Sequence, residues 1–285
     1  MFNLRMSMIS NPRIAWWCLV LCVLGAKANA VEPPKPKAGP LGMKFVTLPK
    51  GTTYLGWDGK PGSAKKTEIK EDFEIAVHTV TQGQWQQVMG KNPSQLSRTG
   101  SGRDRVKNIA DEELKKFPVE CVSWDDCQEF IKKLNEQEKG KGYVYRLPSV
   151  AEWEYACRGG ASTEEECSFL FYFEKPTNDI SSKQANFDGN LPYGSGEKGP
   201  RVGMLTKVGS YPPNKLGLYD MHGNVWQWTD SLWRPKELHR LNRGGSYGGD
   251  GYSCRAAFTH FNEPFYRSVY CGFRIARVPS TSVEK

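Results

Sequence analysis

The residues best suited to build a binding or reaction site stand together at positions 217–228, in the sequence GLYDMHGNVWQW. Trp226 and Trp228 are two residues apart, so in an extended segment they lie on the same side. The step from Gly223 to Asn224 favours positive backbone φ angles, which Gly adopts freely and Asn tolerates better than most residues. This pattern predicts a kinked loop with carbonyl and amide groups turned inward. Such a loop suits a ligand or an ion, and it equally suits an aromatic-pinned turn of the core.

A second polar segment, ANFDGN at residues 185–190, carries three oxygen-bearing side chains in a turn that contains glycine. Hard oxygen ligands on an irregular loop suit calcium, although this spacing is not that of a helix-loop-helix calcium hand. Asp220, in the first segment, is a candidate general base, but an aspartate at such a position more often supports a turn. By itself, therefore, the pattern does not identify a metal or a catalytic acid.

Other chemistry-bearing patterns are sparse. The sequence contains no phosphate-binding loop and no Cys-x-x-Cys. Its histidines do not have the spacing of metal ligands, so each is predicted to have a surface or hydrogen-bonding role. They are His78, His222, His239 and His260.

The first 30 residues predict a secretory signal. Arg5 and Arg13 precede an apolar stretch at 14–25, and ANA at 28–30 forms a small-residue cleavage site. Its removal leaves 36 basic and 31 acidic residues, a mild net charge of +5. The basic residues are scattered, so nucleic-acid binding has little support. No later segment is apolar enough to span a bilayer, and we expect an extracytoplasmic protein, periplasmic or secreted.

Six cysteines follow this signal, and in an oxidising compartment they can form three bridges with 15 possible pairings. They are Cys121, Cys127, Cys157, Cys167, Cys254 and Cys271.

The elements that must position these residues are readable mainly before residue 160. A proline-rich linker is expected at 31–42, then a β-hairpin made of 43–48 and 52–56, and a strand at 73–80. Three helices are predicted from apolar periodicity and N-caps at Thr81, Ser123 and Ser149, over residues 81–89, 119–135 and 150–157.

After residue 160, Gly, Asn, Pro and aromatic residues interrupt every periodic pattern. A segment of this length with little regular structure needs aromatic anchors, disulfides or bound ions to hold it. The expectation is one α/β domain over residues 43–279, followed by a tail at 280–285.

Five motifs of the chain resemble the sulfatase-modifying-factor family, whose founding activity is that of the formylglycine-generating enzyme. They are RLPSVAEWEYACRGG at 146–160, ANFDGN at 185–190, GLYDMHGNVWQW at 217–228, RGGSY at 243–247 and GFR at 272–274. Their order and spacing also fit, from about residue 43 to 278. The resemblance implies the family's fold, a single asymmetric α/β (α+β) domain that is related to the C-type lectin fold and low in regular secondary structure.

The resemblance also implies structural calcium and one disulfide. One calcium site would involve Asn186 and Phe187. The other would involve the loop at 217–228, through His222, Asn224, Val225 and Gln227. A glutamate usually stands at the position of Gln227, so the loss of a charge should weaken that site. The implied disulfide joins Cys157 to Cys254; a Cys121–Cys271 bridge is a second candidate, and Cys127 and Cys167 are left either free or paired with each other.

The resemblance fails at the reaction centre. The family's oxidases carry two redox cysteines between Gly-Gly-Ser-Tyr and the structural cysteine equated here with Cys254, and soft thiolates are what select Cu(I). In this chain the interval at 248–253 reads GGDGYS and contains no cysteine. Copper and its oxidase chemistry are therefore not expected. Tyr252, Ser253 and Cys254 mark the place of the family's reaction centre.

Two functions remain open at this stage. The first is an enzyme of the formylglycine-generating class or its accessory, acting on an exported sulfatase or another exported protein. The second is a non-catalytic, calcium-stabilised binding module for a peptide, a glycan or a protein partner. Copper uptake and oxidation of a peptide containing Cys-x-Pro-x-Arg discriminate between them, and we expect neither.

Overall fold

The computed structural model describes residues 33–282, and the predicted signal at 1–30 lies outside them. Their strands, in chain order, are β1 (Lys37–Ala38), β2 (Lys44–Leu48), β3 (Gly51–Leu55), β4 (Lys65–Ile69), β5 (Phe73–Ala76), β6 (Tyr143–Arg146), β7 (Phe171–Tyr172), β8 (Pro176–Thr177), β9 (Trp226–Leu232), β10 (Arg240–Arg243), β11 (Thr259–Asn262), β12 (Cys271–Phe273) and β13 (Ala276–Pro279). Their helices are α1 (Gln82–Met89), α2 (Arg103–Val106), α3 (Asp111–Leu114), α4 (Trp124–Gln137) and α5 (Val150–Cys157).

The three longest helices begin at capping boxes. In α1 the Thr81 hydroxyl accepts a hydrogen bond from the Gln84 amide, and the Gln84 side chain accepts one from the Thr81 amide. Ser123 and Ser149 cap α4 and α5 in the same way. The helices predicted at 81–89 and 150–157 are thus confirmed. The third starts only at Trp124, because the amides of Val119 and Cys121 donate to the carbonyls of Val80 and Ser268 instead of continuing a helix.

The predicted hairpin is wrong. Strand β2 pairs with β5, and β3 pairs with β4. The two strands are consecutive in the chain but belong to different sheets. The segment expected to be a linker also contributes structure, because β1 pairs with β2 and Lys37 forms an ion pair with the buried carboxylate of Glu74.

The main sheet has the order β1-β2-β5-β13-β6, with antiparallel neighbours. Alternate residues of a strand face opposite sides. Phe45 accordingly packs with α1 and α4 residues such as Trp85 and Phe130, whereas Val46 packs on the other side with Trp153 of α5. Helices thus cover both faces of this sheet.

A second sheet, of order β11-β10-β9-β12, forms most of the regular structure after residue 160. Its two outer pairs differ, since β10 and β11 are antiparallel whereas β12 runs parallel to β9. The mixed sheets, few helices and long irregular connections confirm the predicted α+β domain. Among residues 33–282 we find no helix with the length and apolar composition needed to cross a membrane.

Candidate functional site

The motif loop at 217–228 is kinked where the sequence predicted. Gly223 and Asn224 have φ angles of 99° and 68°, and Asp220 adopts 55°. The Gly223 amide donates to the Gly244 carbonyl at 2.6 Å, and the Asn224 amide donates to the Asn186 carbonyl at 2.8 Å. A side chain at position 223 would lie 2.5 Å from the same Asn186 oxygen, so only glycine fits. This close approach joins the two polar segments into one site.

The joint between the segments contains two buried oxygens that lack donors. Asn186 donates through Nδ2 to the Met204 carbonyl at 2.9 Å and to Asn224 Oδ1 at 3.2 Å. The Thr206 amide donates to that same Asn224 oxygen at 3.1 Å. Within the described chain, Asn186 Oδ1 and Thr206 Oγ1 have no hydrogen-bond partner. Unpaired buried acceptors are costly, and hard oxygens suit a calcium ion, so this donor set fits the first expected calcium site in part.

The side-chain oxygens of the second expected calcium set, on Asn224 and Gln227, already accept hydrogen bonds. Gln227 Oε1 already accepts hydrogen bonds from Trp153 Nε1 at 2.9 Å and from Arg274 Nε at 3.0 Å. Its Nε2 donates to the Asp220 carbonyl at 2.7 Å. The Val225 side chain is buried in an apolar cluster. A buried guanidinium therefore stands beside the Gln227 oxygen, and the side-chain oxygen of Gln227 does not fit a calcium ion there.

His222 is likewise fully engaged. Its Nδ1 donates to the Cys254 carbonyl at 2.7 Å, and its Nε2 accepts from the Tyr172 amide at 2.9 Å. Burial lowers the pKa of His222 to about 4, which keeps the ring neutral at physiological pH. The ring thus joins β7 to the segment that holds Cys254, the hydrogen-bonding role predicted for a histidine without metal-ligand spacing.

Asp220 is buried, and burial raises its pKa to about 6. Its Oδ2 accepts a hydrogen bond from the Gly209 amide at 2.9 Å. Together with its positive φ angle, this contact gives Asp220 the turn-supporting role that the sequence favoured over general base.

The place of the family's reaction centre is closed around one thiol. Cys254 is fully buried, and burial raises its pKa. A Cβ at position 245 would lie 2.6 Å from its Sγ, so Gly245 packs directly against the thiol. Ser253 Oγ donates to the Asp250 carbonyl at 2.8 Å, whereas Tyr252 remains exposed to solvent.

The expected disulfide is not formed in the structure. Cys157 and Cys254 are both free thiols, as are the other cysteines of the described residues. Cys157 Sγ lies 3.6 Å from His222 Nε2, while Cys254 contacts that ring through its carbonyl at Nδ1. His222 therefore contacts both cysteines, one through its thiol and the other through its carbonyl.

Pattern reading overlooked a serine. The sequence GGSYG at 244–248 matches Gly-x-Ser-x-Gly, the spacing of some hydrolase nucleophiles. Ser246 is buried, and no described histidine nitrogen hydrogen-bonds to its hydroxyl. The base that would activate this serine is therefore missing from the described part of the chain.

An extended set of aromatic rings includes Tyr252, and the sequence patterns did not predict it. Successive ring centroids are 4.6 to 6.2 Å apart. We call this set the aromatic surface, and it comprises Tyr193, Tyr252, Phe258, Trp226, His260, Phe261 and Trp233. Arg255 lies 3.7 Å over the Tyr252 ring. Tyr252, Phe261 and Trp233 are 47%, 41% and 37% exposed, respectively.

One compositional signal could have revealed this surface. Residues 237–282 contain eight Phe or Tyr residues and no lysine, although lysine and arginine are frequent elsewhere. Enrichment in aromatic residues and arginine with depletion of lysine is typical of the centre of a protein interface.

The fold and the two joined polar segments define a domain of the formylglycine-generating type. The chain belongs to the family described as the sulfatase-modifying factor enzyme 1-like domain, which it matches over residues 31–279. This confirms the family expected from the five motifs.

Curated relatives within this family differ in their names. The chain is 32% identical to the formylglycine-generating enzyme of Bos taurus over 58% of its own length and 45% of that protein. It is 31% identical to the inactive C-alpha-formylglycine-generating enzyme 2 of Mus musculus over 73% of the chain and 60% of the relative. It is 27% identical to the chaperone protein LppX of Paenibacillus barcinonensis over 66% of the chain and 74% of the relative. The chain thus spans about half the length of its formylglycine-generating relatives.

Solved structures support the fold. PvdO from Pseudomonas aeruginosa superposes with a TM-score of 0.63 at 24% identity, covering 86% of this chain and 98% of that one. Treponema denticola variable protein 1 gives a TM-score of 0.61 at 22% identity, with coverages of 85% and 98%.

Proposed function

We propose that this chain is a non-oxidising member of its family and that it binds a polypeptide segment of another exported protein through the aromatic surface. The observation that carries the proposal is the single thiol at the family's reaction centre: Cys254 is fully buried and has no second cysteine in the interval 248–253.

The chemistry of the thiols supports the absence of copper oxidation. Cu(I) is selected by soft thiolates, and the thiolate form must be accessible at working pH. Burial raises the pKa of Cys254 and brings that of Cys157 to about 12, so both remain protonated. This donor set does not fit a copper ion.

The aromatic surface supports polypeptide binding. Tyr and Trp rings with arginine supply most of the energy at protein interfaces, because they bury large areas at small cost in conformational entropy. The surface extends from Tyr252, which lies next to Cys254 in the segment equated with the family's reaction centre, through four further rings to Trp233. Guanidinium groups lie against rings at both ends of the surface, since Arg255 is 3.7 Å over Tyr252 and the exposed Arg234 is 5.6 Å over Trp233. Rings interleaved with arginine suit a polypeptide segment.

Two relatives lend further support. One is named an inactive C-alpha-formylglycine-generating enzyme and another a chaperone protein. The first name agrees with a member that does not oxidise, and the second agrees with binding to another protein. A sulfatase or another exported protein is the proposed partner, as an accessory to maturation. Export itself is proposed from the signal-like residues 1–30.

The deciding experiment combines metal analysis with peptide binding. The purified protein is titrated with Cu(I) and is then mixed with a sulfatase-type peptide containing Cys-x-Pro-x-Arg. We expect no stoichiometric copper, no oxidised peptide by mass spectrometry, and saturable binding. Tyr252→Ala and Trp233→Ala should each weaken binding about tenfold. Val202→Ala, which truncates an exposed apolar side chain outside the aromatic surface, should leave it unchanged.

Each outcome has a defined meaning. Stoichiometric Cu(I) uptake or peptide oxidation would overturn the non-oxidising assignment and make the chain a divergent oxidase. Absence of binding, or binding that the Tyr252 and Trp233 variants leave intact, would overturn the assignment of the aromatic surface to this peptide.

A further inference from the structure

Cys121 and Cys271 are held side by side by one carbonyl group. The amides of both residues donate hydrogen bonds to the Ser268 oxygen, each at 3.0 Å. Their nitrogens cannot be farther apart than twice that distance. Each Cα is one N–Cα bond of about 1.46 Å from its nitrogen, so the two Cα atoms lie within about 9 Å of each other. That limit includes the spacing of about 4.4–6.8 Å found in disulfides.

The backbone around this pair is fixed by further contacts. The indole of Trp228 donates to the Val122 carbonyl at 3.0 Å, and a Cβ at Gly272 would lie 2.6 Å from the Val119 carbonyl. The chain at 119–122 therefore runs directly beside β12. Cys121 has a φ angle of 60°, a conformation that costs free energy for a residue other than glycine. The surrounding contacts hold it there.

Access and competition favour one pairing. Cys121 is partly exposed, whereas Cys271 and Cys127 are buried, so an external oxidant meets Cys121 first. Cys127 lies in α4 and is the alternative partner of Cys271, but its amide donates to the Ser123 carbonyl within the helix rather than to Ser268.

We propose that Cys121 and Cys271 are a redox pair that closes to a disulfide when the chain meets an oxidising thiol–disulfide carrier. The Cys121 thiolate attacks the disulfide of the carrier and forms a mixed disulfide, with release of one carrier thiolate. The Cys271 thiolate then displaces the second carrier sulfur. Two protein thiols become one disulfide, their two protons pass to solvent and to the carrier, and the carrier disulfide is reduced to two thiols.

The disulfide would fix the strand that lies beside one member of the aromatic surface. Cys271 begins β12 and pairs in parallel register with Trp226, a member of that surface. The crosslink would tie this strand to the chain segment before α4, far away in sequence. A loop of that length loses much freedom in the unfolded state when it is closed, so oxidation stabilises the fold.

The timing follows from the thiols. Burial, with the neighbouring Glu120 carboxylate, raises the pKa of Cys121 to about 12, and burial brings that of Cys271 to about 12 as well. Few thiolates exist in the folded protein at neutral pH. We therefore expect closure late in folding, when the two segments already lie side by side and Cys121 is the more exposed thiol, but before Cys271 is fully buried.

The test refolds the protein from denaturant in a glutathione redox buffer and maps linked peptides by mass spectrometry without reduction. We expect a Cys121–Cys271 peptide as the main product and a urea midpoint about 1 M above that of the reduced protein. Cys121→Ser and Cys271→Ser should each abolish both results. Cys127→Ser, which removes the competing thiol of α4, should leave the linked peptide in place.

Two results would sink the proposal. One is a dominant Cys127–Cys271 peptide, which would make α4 the partner. The other is complete reaction of Cys121 and Cys271 with a thiol reagent after oxidative refolding and denaturation. Because peptide mapping reads the bond itself, a variant that folds poorly does not obscure the answer from the unmodified chain.

Discussion

The indole Nε1 of Trp153 donates a 2.9 Å hydrogen bond to Oε1 of Gln227, and this contact joins helix α5 to strand β9 in the centre of the domain. The same oxygen accepts from Arg274, whose guanidinium also donates to the carbonyls of Ala76 and Val77. The uncharged amide of Gln227 thereby forms hydrogen bonds with an indole, a buried guanidinium and, through the Asp220 carbonyl, the motif loop. Gln227 therefore has a structural role in this chain.

Replacement of that amide by an apolar side chain of similar size should be costly. Gln227→Leu removes the acceptor of Trp153 and of Arg274, and it leaves two buried donors unpaired. We expect unfolding free energy to fall by about 3 kcal/mol or more, measured by urea denaturation. Gln137→Leu, at an exposed position near the end of α4, should change it by less than about 0.5 kcal/mol. A cost at Gln227 as small as at Gln137 would show that the network adds nothing.

Glu154 supports a second prediction, because it joins two buried arginines. One of its oxygens accepts from Arg158 Nε at 2.9 Å and the other pairs with Arg243. Although burial alone would raise it, the two guanidinium groups keep the pKa of Glu154 below its usual value. Glu154→Gln leaves both cations without a counter-charge.

We expect that change to cost about 3–5 kcal/mol in unfolding free energy at neutral pH. The control is Glu197→Gln, which breaks an exposed 2.7 Å ion pair with Lys183 and should leave the unfolding free energy almost unchanged, because solvent screens that pair. Similar losses for the two variants would contradict the role given to burial.

The parts of the fold that sequence predicted were local. Ser149 and Glu152 cap α5 through contacts between residues only three positions apart, so the local sequence is enough to predict where this helix begins. Strand pairing is not local: β2 and β3 are separated by a turn, yet each pairs with a later strand because burial on the sheet decides the partner. Periodicity within a strand carries no record of which strand lies beside it.

The site was predicted to a similar degree. Positive φ angles at Gly223 and Asn224 follow from residue type, and the structure has them. The contact between Arg274 and Gln227 could not be predicted from the sequence, because the two residues are 47 positions apart and no sequence pattern connects them. The aromatic surface was missed for the same reason, because its rings come from four separate segments.

His222 makes stability depend on pH in a defined direction. Its pKa is about 4 in the folded chain and close to 6.5 when unfolded, so the folded state binds fewer protons. Its contribution is fully present above pH 6.5 and is lost as pH falls towards 4. The stability difference between the unmodified chain and His222→Asn should shrink by about 3 kcal/mol over that range.

Urea denaturation at several pH values tests this, and the internal control is the interval from pH 7.5 to 9, where the difference should stay constant. A difference that is constant down to pH 4 would mean that the ring is protonated without penalty in the folded protein, contrary to its burial.

Calcium is the last prediction. Asn186 Oδ1 and Thr206 Oγ1 are buried without donors in the described chain, and a bound cation would satisfy them. We expect millimolar calcium added after treatment with a chelator to raise Tm by several degrees, since a ligand that binds only the folded state stabilises it in proportion to the logarithm of its concentration. Asn186→Ala should remove this increment even though it also lowers Tm by itself. Asn190→Ala, on the same turn with an exposed side chain, should keep the increment. An equal response in Asn186→Ala and the unmodified chain would place any calcium elsewhere. No response in the unmodified chain would leave those two oxygens to buried water, which needs only polar partners and a little space.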